Sequence, residues 1–186
     1  MFHKPNIPAL FAQVAESETR HVMRFREHLK VHHSREIKAL YEQPEELDAE
    51  YADLLADDRY FLDEVLSLAD QLAIIALYRI VEFNVKSLMG HVLPGVSSRK
   101  YSSIMGLHEV LNNSFNIDLN QVPFYHSMNE LRLINNAIKH EGVVDAELAA
   151  YPAWTQGGDL VGLDTAFERL APDVPKYIEA LASKVA

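Results

Sequence analysis

The residues best suited to chemistry lie in one segment, Asn129-Glu-Leu-Arg-Leu-Ile-Asn-Asn-Ala-Ile-Lys-His-Glu-Gly142. On a helix at 100° per residue, Arg132, Asn136 and His140 stand four apart and drift only about 40° per step, so they share one face. Leu131, Ile134 and Ile138 hold a different face toward a core. The three polar types suit a phosphate ester. Arg offers a charged fork, Asn orients through its amide, and His moves a proton near neutral pH. His140 also falls in the last turn, where the helix dipole favours its protonated form. A polar stripe ending in Lys-His is equally the pattern of a solvated helix face, so residue types alone leave both readings open.

Other constellations have plainer explanations. Tyr78, Arg79, Glu82 and Lys86 interrupt an otherwise apolar helix, and their i, i+3 and i, i+4 spacings predict that Arg79, Glu82 and Lys86 pair with one another on its surface. Glu18-Thr-Arg-His21 has the Glu-x-x-His spacing of di-iron bundles, but no second copy exists to complete such a site. His28 and His32 have the i, i+4 spacing of zinc ligands without the intervening Glu, and they continue a row of Arg20 and Arg24 whose positive charge disfavours a cation. No metal site is expected. Residues 16–38 hold six Lys/Arg and four His against four Glu, whereas residues 42–64 hold ten acids and only Arg59. Two neighbouring helices that offset each other's charge account for this contrast. With no cysteine in the chain, thiol nucleophiles and cysteine-ligated metal sites are excluded. No Gly-rich phosphate loop, nucleophile elbow or dinucleotide fingerprint occurs.

These residues must be positioned by helices. The 186 residues are 48% apolar and 24% charged, the balance of a globular protein of one domain. Glycine and proline are sparse and divide the chain at Pro5 to Pro8, Pro44, Pro94-Gly95, Pro123, Gly142, Pro152 to Gly162 and Pro172 to Pro175. Between them the apolar spacing is helical, most clearly from Leu62 to Phe83, the expected central helix. Pro8 to Tyr41 reads as one long helix or two with a kink. A second, acidic helix is expected with Pro44 in its first turn, followed by Glu45, Glu46 and Asp48. Ser102 to Asn113 reads as a shorter helix broken by Asn112, Asn113 and Asn116. Gln121 to Glu141 reads as another, stopped by Gly142 as C-cap. Val143 to Leu163 is irregular, with Gly157-Gly158-Asp159 as a turn between short extended pieces, and a C-terminal helix starts near Pro175. The pattern predicts an all-α helical bundle. The net charge of −10 argues against a broad grip on nucleic acid or anionic lipid. No apolar run approaches the roughly 20 residues of a membrane span, so no membrane partner and a cytoplasmic location are expected.

The Asn129–Gly142 segment resembles the HEPN superfamily, compact helical bundles of prokaryotic toxin–antitoxin, abortive-infection and stress-defence systems. The family element reads Leu-Arg-x-x-Arg-Asn-x-x-x-His-Gly; here Leu131, Arg132, Asn136, Lys139 and His140 match it, with Gly142 one place late. Tyr78 to Lys86 is similar to the Glu-x-x-x-Lys stretch of an earlier helix in such bundles, through Glu82 and Lys86. The resemblance covers residues 62–142. It implies a HEPN-like bundle over 62–186 with an N-terminal helical extension, residues 1–61, packed on it in one globular body. The family's arginine position is Asn135 here, leaving Arg132 about two turns, or roughly 12 Å, from His140.

What the resemblance implies for function takes two forms. One is a metal-independent endoribonuclease in which His140 acts as general acid/base on a ribose 2′-hydroxyl, Arg132 steadies the phosphate and Asn136 orients it, with no cofactor. Asn135, Lys139, Glu82 and Lys86 would bind, and a homodimer would face two such stripes across a shared cleft. The other is a non-catalytic HEPN-like bundle that binds a partner protein such as a cognate antitoxin, a nucleotide or RNA.

Overall fold

The computed structural model describes residues 6–42, 49–140 and 142–186. Among them it is all-α, with six α-helices joined by short 3-10 turns and a single antiparallel bridge between Val143 and Asp159. The first helix, α1 (Ile7–Tyr41), is continuous, without the kink the sequence allowed. Asn6 starts it by accepting a hydrogen bond from the Ala9 amide at 3.2 Å, and Pro8 sits in the first turn, where a missing N–H costs nothing. The second, α2 (Ala49–Val92), absorbs both the central helix and the acidic stretch from Asp53 to Glu64 into 44 residues. The expected start at Pro44, with Glu45, Glu46 and Asp48, lies outside the described residues. Position 61, where the sequence suggests a division between extension and bundle, falls inside this unbroken helix.

The remaining helices are α3 (Ile104–Phe115), α4 (Tyr125–His140), α5 (Leu163–Leu170) and α6 (Asp173–Val185). Ser103 caps α3 by accepting from the Gly106 amide, and Asn116 ends it in the left-handed conformation at φ 55°; Asn112 and Asn113 stay helical. Gly142 follows α4 at φ +67°, its amide donating back to the Ala137 carbonyl, as a C-cap glycine should. The segment after it closes on itself: the Val144 amide donates to the Gly158 carbonyl at 3.0 Å, and the Gly157 and Leu160 amides donate to the Val144 and Gly142 carbonyls at 2.9 Å. Helix α5 was not anticipated. Its Leu163, Ala166, Phe167 and Leu170 follow the i, i+3, i+4, i+7 rule, but eight residues between Gly162 and Pro172 are too short a window for periodicity to stand out.

The core gathers Ile74, Leu77, Leu88 and Met89 of α2 with Leu111 of α3, Leu131 and Ile134 of α4, Phe167 and Leu170 of α5, and Ile178 of α6. Helix α1 lies along α2 and α6 and contributes Ala15. The charge contrast between α1 and α2 is resolved in part by pairing, with His33 and Asp63 meeting at 2.9 Å. Deeper in, the buried Arg26 donates to Asp70 at 2.6 Å and to Glu168 at 3.2 Å, while its guanidinium lies 5.0 Å from the Phe167 ring centre. One guanidinium thus ties α1 to α2 and α5. Among the described residues no helix is long and apolar enough to cross a membrane.

Breaking the Arg26–Asp70 pair from one side strands a buried charge. Asp70→Ala is expected to lower unfolding free energy by about 3 kcal/mol or more, while Arg26→Met with Asp70→Leu recovers most of the loss. Urea denaturation of the two variants checks this, and equal losses in both would refute it.

Candidate functional site

Helices α2 and α4 and the turn Ser98–Tyr101 enclose a cleft between them. From α2 come Tyr78, Glu82 and Lys86, from α4 Tyr125, Asn129 and Arg132, with Tyr101 and Tyr177 closing it and Val81, Val85, Leu107 and Met128 lining the apolar side. Local sequence sets this wall in two ways. Residues 78, 82 and 86 are one turn apart on α2, and 125, 129 and 132 are likewise stacked on α4, so each helix presents a polar row. Gly106 lets the Ser98–Tyr101 turn rest on the start of α3, because a Cβ there would run into the Lys100 carbonyl oxygen.

Arg132 is the most constrained charge. Its side chain is 17% exposed, its Nε donates to Asn129 Oδ1 at 3.0 Å, and one Nη reaches the exposed Glu147 at 3.5 Å. Asn129 Nδ2 in turn donates to the Tyr151 hydroxyl at 2.9 Å, which donates to the His126 carbonyl oxygen. This chain fixes the Asn129 amide with its oxygen toward Arg132. Remaining guanidinium N–H groups are left for a ligand. Beneath them, Glu130 is 2% exposed and points the other way, accepting two hydrogen bonds from Arg169 at 2.6 and 2.8 Å and one from the Trp154 indole at 2.8 Å.

Tyr78, Tyr125 and Tyr177 are held neutral beyond the ordinary phenol range. Burial pushes the Tyr78 hydroxyl up to about 12, with the Glu82 carboxylate adding to the rise and Arg132 opposing it. Burial likewise raises Tyr125, again against Arg132, and raises Tyr177. Tyr78 and Tyr125 present hydroxyls and ring surfaces beside two cationic side chains and one carboxylate, while Tyr177 is buried beneath them. The interior space open to a water molecule's centre is about 50 Å³, enough for one small polar group beneath a wider mouth.

Of the residues singled out in the sequence, Arg132, Glu82 and Lys86 are thus brought together. Asn136 is half-buried and outside the cleft lining, while Lys139 and His140 are exposed at the end of α4. Asn135 is 1% exposed, inside the packed body, and its Oδ1 has no partner among the described residues. The expected self-pairing of Arg79, Glu82 and Lys86 is absent: among the described residues no ion pair within 4.0 Å joins them. Glu18 accepts from Asn84 at 2.8 Å, and no cluster of three potential metal ligands occurs among the described residues. Sequence reading missed Tyr125 and Asn129. It followed the polar row from Arg132 toward His140, whereas the cleft uses the same row in the opposite direction. Tyr101 and Tyr177 carry no local signal, since only the tertiary packing of their elements brings them here.

No family model, curated protein or solved structure matches the chain.

A phenol whose pKa in the folded state exceeds its ordinary value of 10 loses stability for the fold as pH rises from 10 toward about 12, because the unfolded chain ionises first. The melting temperature is therefore expected to fall above pH 10, and Tyr78→Phe to flatten that fall relative to its own value at pH 8. Parallel curves for the two proteins would show that Tyr78 ionises as freely folded as unfolded.

Proposed function

We propose that the chain is a HEPN-like bundle that binds a nucleotide phosphate in the α2–α4 cleft and does not itself cleave RNA. One observation carries this reading: Arg132, Lys86 and Glu82 line a cleft with tyrosine rings, whereas His140 is outside it. Guanidinium and ammonium groups hold a phosphate through charge-assisted hydrogen bonds. Tyr78 and Tyr125 offer faces or edges to a base, and Glu82 accepts from a ribose hydroxyl or a base amine. The ligand sits at the mouth with only a small group entering the floor, given the space within. The net charge of −10 favours a free mononucleotide over a long RNA, whose backbone would be repelled beyond the local basic patch.

Calorimetric titration with 5′-AMP, adenosine and a short single-stranded RNA distinguishes the forms of the ligand. AMP is expected to bind and adenosine to bind more weakly; loss of charged hydrogen bonds in Arg132→Ala should raise the AMP Kd roughly 10- to 100-fold. Tighter binding of RNA than of AMP would move the ligand class to RNA, and no binding of any of the three would overturn the proposal. In EDTA, the wild type is expected to leave RNA intact; cleavage that disappears in His140→Ala would restore the nuclease reading.

A further inference from the structure

Helix α2 carries a long apolar stripe that nothing in the chain's described residues covers. Leu54, Phe61, Val65, Leu68, Leu72 and Phe83 are all exposed, Phe61 at 65%, Leu68 at 53% and Phe83 at 61%. Their spacings of seven, four, three, four and eleven keep them on one side of the helix, within about 60° of a common direction. From Leu54 to Phe83 the stripe runs about 44 Å at 1.5 Å per residue, and a helix face roughly 10 Å wide makes it on the order of 400 Å². That is the size of the largest apolar patch on a typical monomer, and such patches are often functional.

Three exposed charges interrupt the stripe, Asp57 and Asp58 towards one end and Arg79 towards the other, so its two ends carry opposite sign. Asp58 and Arg79 lie on the same side, both are exposed, and among the described residues neither forms an ion pair. Their positions are symmetric about a point between Leu68 and Ala69. Turning the stripe end for end about that point sets Leu54 against Phe83, Asp58 against Arg79, Phe61 against the small Ala76, and Val65 against Leu72. A parallel alignment would instead set Asp58 against Asp58 and Arg79 against Arg79, which like-charge repulsion disfavours.

We propose that the occupant of this stripe is a second copy of the chain, packed antiparallel α2 to α2 about a two-fold axis between Leu68 and Ala69. The stripe is self-complementary in shape and charge, as an isologous interface must be. It joins the α1–α2 pairs of both copies into a four-helix arrangement that a lone helix pair cannot provide. This inference stands apart from what the cleft binds.

The test uses the full chain in sedimentation equilibrium. The wild type is expected to be a dimer at micromolar concentration, and Leu68→Glu, which puts two carboxylates across the axis, to be monomeric with an unchanged helical circular-dichroism spectrum at 25 °C. Asp58→Arg and Arg79→Asp are each expected to raise the dimer Kd about tenfold or more, and the double charge swap to restore it. Because the chain has no cysteine, introduced thiols report the alignment cleanly. Leu54→Cys mixed with Phe83→Cys should cross-link on oxidation, while Leu54→Cys alone should not. A wild type that stays monomeric, a dimer indifferent to Leu68→Glu, or self-cross-linking of Leu54→Cys would each overturn the proposal.

Discussion

A carboxylate buried in the protein interior fixes how α4 is turned about its own axis. Arg169 grips both of the Glu130 oxygens and the Trp154 indole adds a third hydrogen bond, which offsets the cost of burying the carboxylate. Those partners come from α5 and from the irregular segment after α4, so the pairing holds both against the helix. With Glu130 committed to that side, the 100° step of the helix sends Asn129 and Arg132 well away from it. They face α2 across the cleft. The site's cation is therefore aimed by a charge that never touches the cleft.

The second constraint is the length of α2. Its C-terminal half contributes Ile74, Leu77, Leu88 and Met89 to the core, while one apolar face stays exposed from Leu54 to Phe83 along both halves. The same helix positions Tyr78, Glu82 and Lys86. Residues on the cleft side and on the outer stripe alternate along the sequence, Glu82 beside Phe83, so one rigid rod serves two surfaces without bending.

Much of this was legible in the sequence. Periodicity marked α1, the core half of α2, α3, α4 and α6, and short-range chemistry marked several ends: Asn6 and Ser103 accept from the first free amides, and Gly142 takes the left-handed conformation. What periodicity could not supply was which apolar face is covered. Val65, Leu72 and Phe83 look like core by spacing yet are exposed, whereas Ile74 and Leu77, on a different side of the same helix, are enclosed. The start of α4 was also hidden. Pro123 and Phe124, the latter at φ 65°, hold the chain out of the helix until Tyr125, four residues after the periodic pattern begins. At the site, Arg132, Glu82, Lys86 and Tyr78 stood out because a polar group in an apolar setting is conspicuous, but Tyr101, Tyr125 and Tyr177, drawn from three other elements, did not.

The separation of roles along α4 bears on what the cleft can do. General acid–base catalysis needs a group that exchanges its proton near the working pH. The phenols cannot supply it, since Tyr78 is pushed up to about 12 and Tyr125 and Tyr177 are raised as well. His140 has the right chemistry but follows Arg132 by eight helical residues, roughly 12 Å along a rod whose backbone hydrogen bonds resist compression. No rotation of either side chain changes the order of the helix. Arg132 in the cleft and His140 at the exposed end of α4 thus face different surfaces of one chain, and it is this separation that favours the proposed reading of phosphate binding over ester cleavage.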